Sequence, residues 1–484
     1  MDNLKVTRNL KVTRNLKATR NLKATRSLNA TSNLKVTSKM QRLARDVRQL
    51  SDQLVLCTRC GMCQANCPLF AQTRKEADVS RGKLALINGL IDEMFDDAKG
   101  VNERLGRCLL CGSCAHGCPS NVNVVEIFLK ARAIITQYLG LPFPKKIIFK
   151  RILSNPETFN SIMGMVTPFQ KIFFKKQDNP QGTSCARIAS PLLRHRHIVP
   201  LKESPFNTSL DDLDYRVKGK GVKVAFFVGC LIDKAFPNIA HSVVNVLKHF
   251  NAQIFIPSHQ GCCGIPAIAA GDLETFETLV RTHVELFSKE KFDYLVTACA
   301  TCSSTIIKLW PSLLKHLDKS LLSQIEALAQ KTVDISWLME KRFDLSSAIP
   351  DKEPDKDPDK DPAKERAKKI ITYHDPCHLK KSLGVFNEPR RVIQACGHTL
   401  KEMADSDTCC GMGGSFNLQY YDISSKIGQE KAKNIMDTKC SIVATSCPAC
   451  MMQISDMLAK QHQSILVKHP VEIFSEALFA KSKS

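Results

Sequence analysis

A four-cysteine pattern that ends in Cys-Pro occurs twice near the start of the chain, as CTRCGMCQANCP and CLLCGSCAHGCP. Both copies have two, two and three residues between successive cysteines. The eight cysteines are Cys57, Cys60, Cys63, Cys67, Cys108, Cys111, Cys114 and Cys118. Three thiolates at this spacing can bind three corners of one cubane, while the fourth, set before a turn-forming proline, ligates the other cluster. The pattern therefore predicts two 4Fe-4S clusters, which store and pass single electrons.

The predicted ligand sets are crossed between the two motifs. One set is Cys57, Cys60, Cys63 and Cys118, and the other is Cys108, Cys111, Cys114 and Cys67. Zinc sites usually use two separated Cys-X-X-Cys pairs, and disulfide frameworks suit small secreted chains. The spacing favours clusters over both alternatives.

A second cysteine pattern occurs twice in the C-terminal half. Each copy has one cysteine, then 31 residues, then a Cys-Cys pair followed by Gly. Between this pair and a Cys-X-X-Cys sequence lie 35 or 36 residues, the Gly included. The cysteines are Cys230, Cys262, Cys263, Cys299 and Cys302 in the first copy and Cys377, Cys409, Cys410, Cys447 and Cys450 in the second. Five cysteines that recur in register predict metal ligation. Because five thiolates exceed the tetrahedral demand of one zinc ion, one or two further iron-sulfur clusters fit better, with zinc left open for one copy.

Three histidines, His259, His374 and His378, flank these cysteines. Because the thiolates already suffice as ligands, we interpret the imidazoles as structural or as hydrogen-bonding groups around the site. We assign no catalytic residue.

The segments that carry these cysteines read as alternating strands and helices. Buried-strand patterns end on Cys230, Cys299, Cys377 and Cys447, and helical patterns follow them. Such an order is typical of a parallel sheet, which places its ligands at the carboxyl ends of its strands. The predicted fold class is α/β, with a helical two-cluster ferredoxin-like domain followed by a duplicated α/β cysteine-rich domain.

The predicted domain organisation has six parts. They are a low-complexity repeat at 1–39, the ferredoxin-like domain at 40–140, a basic helical connecting region at 141–215, cysteine-rich module 1 at 216–345, a charged Pro-rich linker at 346–368 and cysteine-rich module 2 at 369–484. The linker alternates charge with proline and cannot build a core.

The first 39 residues repeat a hexapeptide of the type NLKVTR six times. This repeat contributes +9 to the net charge of +22. We expect it to be disordered and outside the fold, and a basic β-repeat that binds a partner is the alternative. Because the remaining basic residues follow no known nucleic-acid motif, we expect no nucleic-acid partner.

Lysines and arginines interleave with Ile and Phe in the stretch PFPKKIIFKRILSNPETFNSIMGMVTPFQKIFFKK. This composition is typical either of packing helices with solvated lysines or of a basic surface that rests on anionic lipid. No apolar run has the length that spans a bilayer, and 21 cysteines without a secretory signal indicate reduced thiols. We therefore expect a cytoplasmic protein, with peripheral association at the inner face of the membrane left open.

With both cysteine patterns in place, the chain from about Met40 onward resembles the iron-sulfur subunits of bacterial glycolate oxidase. The same superfamily includes the iron-sulfur components of flavin-linked lactate and anaerobic glycerol-3-phosphate dehydrogenases and the catalytic subunit of heterodisulfide reductase. In heterodisulfide reductase the corresponding five-cysteine sets hold non-cubane 4Fe-4S clusters. The DVSRGKLALINGL segment favours the glycolate oxidase type, whereas the completeness of all ten cysteines favours the disulfide reductase type.

The resemblance implies an electron-transfer subunit of a flavin-linked 2-hydroxy-acid dehydrogenase. No G-x-G-x-x-G fingerprint occurs in the sequence, so we expect no FAD or NAD on this chain and a separate FAD-containing dehydrogenase subunit as its partner. The expected acceptor is a quinone or another redox protein. The alternatives are a disulfide reductase that cleaves its substrate at the cysteine-rich clusters and a zinc-binding scaffold.

Overall fold

The computed structural model describes residues 39–187, 196–210, 215–348 and 368–479. The predicted hexapeptide repeat, apart from its last residue, lies outside the described residues. Most of the predicted linker, residues 349–367, lies outside them as well.

The N-terminal part is a bundle of short helices around the first two cysteine motifs. Its helices are α1 (39–48), α2 (Ser51–Leu54), α3 (Met62–Ala65), α4 (Pro68–Thr73), α5 (Ser80–Ile91), α6 (Ala98–Gly106), α7 (Ser113–His116) and α8 (Val124–Leu139). In α8 the residues Ile127, Ala131 and Ile135 recur every fourth position and are buried, whereas Glu126 and Lys130 form an ion pair on its outer side. The apolar side of α8 therefore packs against the core, and its charged side faces outward.

The connecting region begins as helix, with α9 (Phe143–Ile147), a π-helical turn (Ile148–Leu153) and α10 (Pro156–Phe173). The prediction of a helical region up to 215 is wrong for residues 174–187 and 196–205, which contain no helix, whereas Phe206–Leu210 forms a 3-10 helix. An antiparallel sheet of β1 (Phe174–Lys176), β2 (Ser184–Ala186) and β3 (His197–Ile198) follows. The sequence QDNPQG turns the chain back between β1 and β2, because Asn, Pro and Gly favour turns over helix.

Module 1 is built on a five-stranded sheet of order β4-β6-β5-β7-β8. Its elements are β4 (Tyr215–Val217), β5 (Lys223–Phe227), α11 (Cys230–Ala235), α12 (Pro237–His249), β6 (Gln253–Ile256), α13 (Ile265–Ala269), α14 (Leu273–Ser288), β7 (Tyr294–Thr297), α15 (Ala300–Ser304), a π-helical turn (Thr305–Leu309), α16 (Trp310–Leu313), α17 (Lys319–Lys331), β8 (Thr332–Asp334), α18 (Ile335–Arg342) and α19 (Leu345–Ala348). All pairings are parallel except that of the edge strand β4 with β6.

Module 2 repeats this topology with a four-stranded parallel sheet of order β10-β9-β11-β12. Its elements are β9 (Ile370–Tyr373), α20 (Cys377–Leu383), α21 (Glu388–Ala395), β10 (Thr399–Leu400), α22 (Ser415–Gln419), α23 (Tyr421–Met436), β11 (Ile442–Ala444), α24 (Pro448–Lys460), β12 (Leu466–Lys468) and α25 (Pro470–Phe479). The central strands β9 and β11 occupy the positions of β5 and β7. The structure confirms the predicted α/β fold class, with a helical ferredoxin-type part followed by duplicated parallel sheets.

The three units pack against one another. Helix α12 of module 1 lies against α25 of module 2, where Phe250 is stacked 6.3 Å from Phe474 between ring centroids. Arg132 of α8 donates a 2.8 Å hydrogen bond to the Ala269 carbonyl oxygen of module 1. Gln72 of α4 donates a 2.6 Å hydrogen bond to Glu430 of α23 in module 2. The ferredoxin-type bundle therefore contacts both modules.

Candidate metal centres

The first of two small cavities in the helical bundle is lined by sulfurs from both N-terminal motifs. Cys57, Cys60, Cys63 and Cys118 line a cavity of about 30 Å³, and Cys114 reaches the same cavity. Gly61, with φ +89°, turns the chain into α3 between the second and third cysteine. Burial raises the pKa of the Cys63 thiol.

The second small cavity, also about 30 Å³, is lined by Cys67, Cys108, Cys111 and Cys114. Cys67 caps α4, because its sulfur accepts a 3.4 Å hydrogen bond from the Phe70 amide. This cap points the last cysteine of the first motif toward the second motif. The structure thus places Cys118 beside the first three cysteines and Cys67 beside the other motif, while Cys114 lines both cavities. The assignment of each sulfur to one cluster stays a prediction.

These cavities suit iron ions bound by thiolates. Burial raises the pKa of Cys67 to about 11, and that of Cys114 rises as well. A free thiolate is therefore disfavoured in these cavities, whereas a bound metal ion deprotonates a coordinating thiol outright. A donor set of four thiols around one small cavity fits a 4Fe-4S cluster.

Two buried cations lie beside the second cavity. Lys83 of α5 is 1% exposed and donates a hydrogen bond to the Asp78 carbonyl oxygen, with its charge close to Cys67 and Cys108. Arg132 of α8 donates to the carbonyl oxygens of Leu105 and Cys108. Both charges offset the negative charge of thiolate ligands. Sequence reasoning missed them, although both occupy positions on the buried sides of their helices.

A larger cavity of about 270 Å³ lies between the two cysteine-rich modules, and all ten cysteines of the second pattern line it. The sulfurs come from equivalent places in the two sheets. Cys230 and Cys377 are the first residues of α11 and α20, and Cys299 and Cys447 immediately precede α15 and α24. Each of these helices follows a central parallel strand. The carboxyl ends of the strands of both sheets therefore face the same cavity.

Within each module the five thiols form a connected group. In module 1 the Cys262 thiol contacts those of Cys230 and Cys263, and the Cys302 thiol contacts those of Cys263 and Cys299. In module 2 the corresponding contacts join Cys409 with Cys377 and Cys410, and Cys450 with Cys410 and Cys447. The predicted five-cysteine sets are therefore both assembled.

The two groups also meet each other. The Cys299 and Cys447 thiols lie next to each other, and the Ala300 amide donates a 3.0 Å hydrogen bond to the Ser446 carbonyl oxygen. The Thr301 hydroxyl oxygen lies 3.5 Å from the Cys447 sulfur. The Cys-X-X-Cys segments of the two modules are therefore adjacent.

A third contact joins module 2 to the second cavity of the helical bundle. The Cys111 and Cys409 thiols lie next to each other, inside an apolar cluster that includes Leu109 and Phe416. The Nε2 atom of His378 lies 3.1 Å from the Leu110 carbonyl oxygen. The cysteines of the second cavity and those of module 2 are therefore direct neighbours.

The three histidines have different surroundings. His259 is exposed, and its Nδ1 atom lies 3.8 Å from the Glu157 carboxylate. Both ring nitrogens of His378 have partners, since Nδ1 lies 3.2 Å from the Thr301 hydroxyl. His374 is fully buried, and burial lowers its pKa to about 3, so the ring is neutral.

Module 2 also has its own buried cation. Lys431 of α23 is 2% exposed, and its charge lies close to the Cys410 and Cys409 thiols. Burial lowers the pKa of Lys431 to about 8, and its ammonium group donates to the Asp405 carbonyl oxygen. Lys431 is therefore a buried cation beside the thiols of module 2, as Lys83 is beside the thiols of the second cavity in the helical bundle.

Comparison with known proteins agrees with this arrangement. The 4Fe-4S dicluster domain family matches residues 53–122, and the cysteine-rich domain family matches twice, at residues 224–307 and 371–455. A probable glycolate oxidase iron-sulfur subunit of Bacillus subtilis is 26% identical over 440 residues, which cover 88% of this chain and 94% of that protein. Lactate utilization protein A of an Exiguobacterium species is 30% identical over 259 residues, which cover 53% of this chain and 98% of that protein. The chain belongs to the glycolate oxidase iron-sulfur subunit family.

A further relative is a component of the fumarate reductase (CoM/CoB) of Methanothermobacter marburgensis. It is 27% identical over 430 residues, which cover 87% of this chain and 71% of that protein. The predicted family is confirmed, and with it the role of an iron-sulfur electron-transfer protein of the oxidoreductase class. Among the described residues no helix combines the length and apolar character needed to cross a membrane.

Proposed function

We propose that this chain is the electron-transfer subunit of a flavin-linked 2-hydroxy-acid dehydrogenase of the glycolate oxidase or lactate dehydrogenase type. A separate FAD-containing subunit oxidises the substrate, and this chain relays the electrons toward a quinone or another redox protein. The similarity to the Bacillus subtilis and Exiguobacterium proteins supports this type.

In this proposal the cysteines form four metal sites. Two 4Fe-4S clusters are held by the crossed N-terminal sets, and each five-cysteine group holds a further iron-sulfur centre, with zinc as the alternative in one module. When bound, such centres supply one-electron storage and transfer. The contact of Cys111 with Cys409 is the observation that carries the proposal, because it brings two ligand sets side by side.

A second candidate is a disulfide reductase that cleaves its substrate in the cavity between the modules. Two observations favour it. The cavity of about 270 Å³ brings all ten cysteines to one space, and the identity to the fumarate reductase (CoM/CoB) component, 27%, matches the 26% to the glycolate oxidase protein.

The deciding experiment is anaerobic purification of the native complex, followed by identification of the bound proteins and assay of both chemistries. We expect a flavoprotein to copurify and glycolate or lactate to reduce the clusters. Reduction only by an external ferredoxin, together with disulfide turnover, would establish the second candidate instead. Zinc without iron in the full chain would exclude both.

We also propose that the protein is cytoplasmic and associates with anionic lipid at the inner face of the membrane through the connecting region. Large apolar side chains are exposed there on α9, the π-helical turn and α10. They are Phe143, Ile147, Ile148, Met165, Val166, Phe169, Ile172 and Phe173. Phe169 and Ile172 are 57% and 63% exposed and lie one helical turn apart. We call these eight residues the apolar face.

Basic side chains surround the apolar face in the sequence. They are Lys145, Lys146, Lys150, Arg151, Lys171, Lys175 and Lys176. An apolar stripe with lysines beside it is the composition of helices that lie in the interface of anionic membranes. An electron acceptor dissolved in the membrane, such as a quinone, would then be within reach.

Flotation with vesicles tests this association. We expect binding to vesicles that contain anionic phospholipid, weaker binding to neutral vesicles, and loss of binding in Phe169→Ser/Ile172→Ser. The matched control is Val55→Ser/Met94→Ser, which removes two exposed apolar side chains outside the apolar face. Equal binding of both double variants would contradict the proposal.

A further inference from the structure

We propose that His374 is a metal ligand of module 2, so that the centre of this module has a nitrogen donor beside its thiolates. This inference rests on the proposed function, in which module 2 holds an iron-sulfur centre. It differs from the interpretation of His374 drawn from the sequence, where the cysteines alone sufficed as ligands.

The hydrogen bonding of His374 determines which ring nitrogen carries the proton. Its Nδ1 atom lies 3.1 Å from the Ser406 carbonyl oxygen. Because a carbonyl oxygen can only accept, Nδ1 carries the hydrogen of the neutral ring. Nε2 is then left with a free lone pair, and within the described part of the chain this buried atom has no hydrogen-bond partner.

The imidazole of His374 lies within the thiol group of module 2. A ring nitrogen of His374 and the sulfurs of Cys410 and Cys450 all lie within 4.8 Å of one another, and all three residues are buried. Because Nδ1 donates a hydrogen bond to a carbonyl oxygen, Nε2 is the nitrogen available to a metal ion. A metal-binding histidine almost always donates its other ring N-H to a carbonyl or carboxylate, and His374 already has this arrangement.

The carbonyl group that orients the ring is itself held in place. The Ser406 carbonyl oxygen also accepts a 3.0 Å hydrogen bond from the Asp375 amide, and the Ser406 hydroxyl donates a 2.8 Å hydrogen bond to the Asp375 carboxylate. Arg390 in turn donates to both carboxylate oxygens of Asp375, at 2.7 and 2.9 Å. Such support from surrounding groups is typical of ligands that must keep one orientation.

A purely structural role explains the ring less well. A buried polar atom without a partner is unfavourable, and Nε2 has no compensating hydrogen bond in the described residues. His283 of module 1 shows the other case. Its Nδ1 lies 2.7 Å from the Leu279 carbonyl oxygen, and its Nε2 accepts from the Gly261 amide at 3.2 Å. Both ring nitrogens of His283 have hydrogen-bond partners. The imidazole of His283 is therefore structural.

Module 1 lacks the equivalent nitrogen. When Cys377 is aligned with Cys230, the position of His374 corresponds to Phe227. The ring of Phe227 packs against His283 and Trp310, with centroids 5.0 and 6.4 Å away. The duplicated modules therefore have different donor sets, sulfur only in module 1 and sulfur with nitrogen in module 2.

Pulsed electron paramagnetic resonance of the full chain, purified anaerobically with its iron, tests the assignment. The module 2 signal is identified by its loss in Cys410→Ala. We expect a strong nitrogen hyperfine coupling in this signal, which changes when histidine is labelled with ¹⁵N. The coupling should disappear in His374→Phe, which introduces the residue type found in module 1, and persist in the control His283→Phe.

The labelled wild-type protein keeps the test independent of whether any variant folds. A module 2 signal with full iron content but without strong histidine coupling would overturn the ligand assignment and leave the proposed function intact. Coupling that persists in His374→Phe would also overturn it. Absence of iron from both modules would instead contradict the proposed function.

Discussion

Cys67 belongs to the first motif in the sequence and to the second cavity in space. Its sulfur caps α4 at the Phe70 amide, and it lines the cavity of Cys108, Cys111 and Cys114. The spacing before Cys-Pro predicted that Cys67 belongs with the other motif. In a Cys-X-X-Cys-X-X-Cys run followed by three residues and a fourth cysteine, the fourth thiol ligates the other cluster.

Replacing Cys67 tests the crossed ligand sets. In Cys67→Ala the cluster bound by Cys108, Cys111 and Cys114 should be lost or damaged, because it loses its fourth ligand, and the iron content should fall by up to about four ions per chain. Iron analysis and electron paramagnetic resonance measure this result.

Cys185→Ala is the matched control, since Cys185 lies on β2 opposite Lys175, in the sheet of the connecting region. It should leave iron content and spectra unchanged. If Cys67→Ala instead damaged the cluster of Cys57, Cys60 and Cys63, the motifs would each hold a cluster of their own.

Other features at the residue scale were not predictable from the pattern of cysteines. The charges of Lys83 and Arg132 reach the second cavity only because helices distant in sequence pack together. The free lone pair of His374 depends on the Ser406 carbonyl oxygen, 32 residues away. Spacing identifies ligands that share a motif, whereas these groups are brought together by tertiary packing.

At the scale of elements, the buried-strand patterns before Cys230, Cys299, Cys377 and Cys447 correctly predicted the central strands of both modules and the helices after them. The strand β1 was missed because its Phe and Lys continue the composition of α10 without a break. In both modules the glycine after the Cys-Cys pair has a left-handed backbone. Gly264 and Gly411 both have φ +93°, where an L side chain is strained.

Gly411 combines a left-handed backbone with close neighbours that leave little space for a side chain. A Cβ atom there would lie 2.6 Å from the Ser424 carbonyl oxygen. Gly411→Ala should therefore lower the free energy of unfolding by about 2–4 kcal/mol, from backbone strain and overpacking together. Urea unfolding under anaerobic conditions measures the change.

Gly397→Ala separates the two causes. Gly397 also has positive φ, +77°, but a Cβ atom there meets nothing within 4 Å. It should lower the free energy of unfolding only by the backbone contribution of about 1–2 kcal/mol. Equal losses in the two variants would show that packing at the Cys-Cys-Gly turn contributes nothing.

At the scale of the whole molecule, the ferredoxin-type bundle and the two modules surround adjoining ligand sets. The sequence predicted the units but not their contact, because nothing in either motif specifies which faces meet. The contact depends on particular pairs, such as Lys381 with the Ser113 hydroxyl at 2.8 Å and the cation-π contact of Arg107 with Tyr420. These side chains carry no pattern of their own in the sequence.

Two neighbouring glycines of module 2 allow this contact to be tested. A Cβ atom at Gly413 would lie 2.6 Å from Cδ2 of Leu109, in the loop that carries the second cavity's cysteines. A Cβ atom at Gly414 would meet nothing within 4 Å. Their φ angles are +52° and +57°, so Gly413→Ala and Gly414→Ala both introduce a side chain at positive φ, and only the one at position 413 would press on Leu109.

We expect Gly413→Ala to slow electron transfer between the ferredoxin-type clusters and module 2 several-fold, because it pushes Cys111 away from Cys409. Gly414→Ala should keep the wild-type rate, and iron content should be the same in both variants. Rapid-mixing spectroscopy after reduction by a small donor measures the rates. If both variants transferred electrons equally fast, the Leu109 contact would not set the separation of the two ligand sets, and electrons would reach module 2 by another contact.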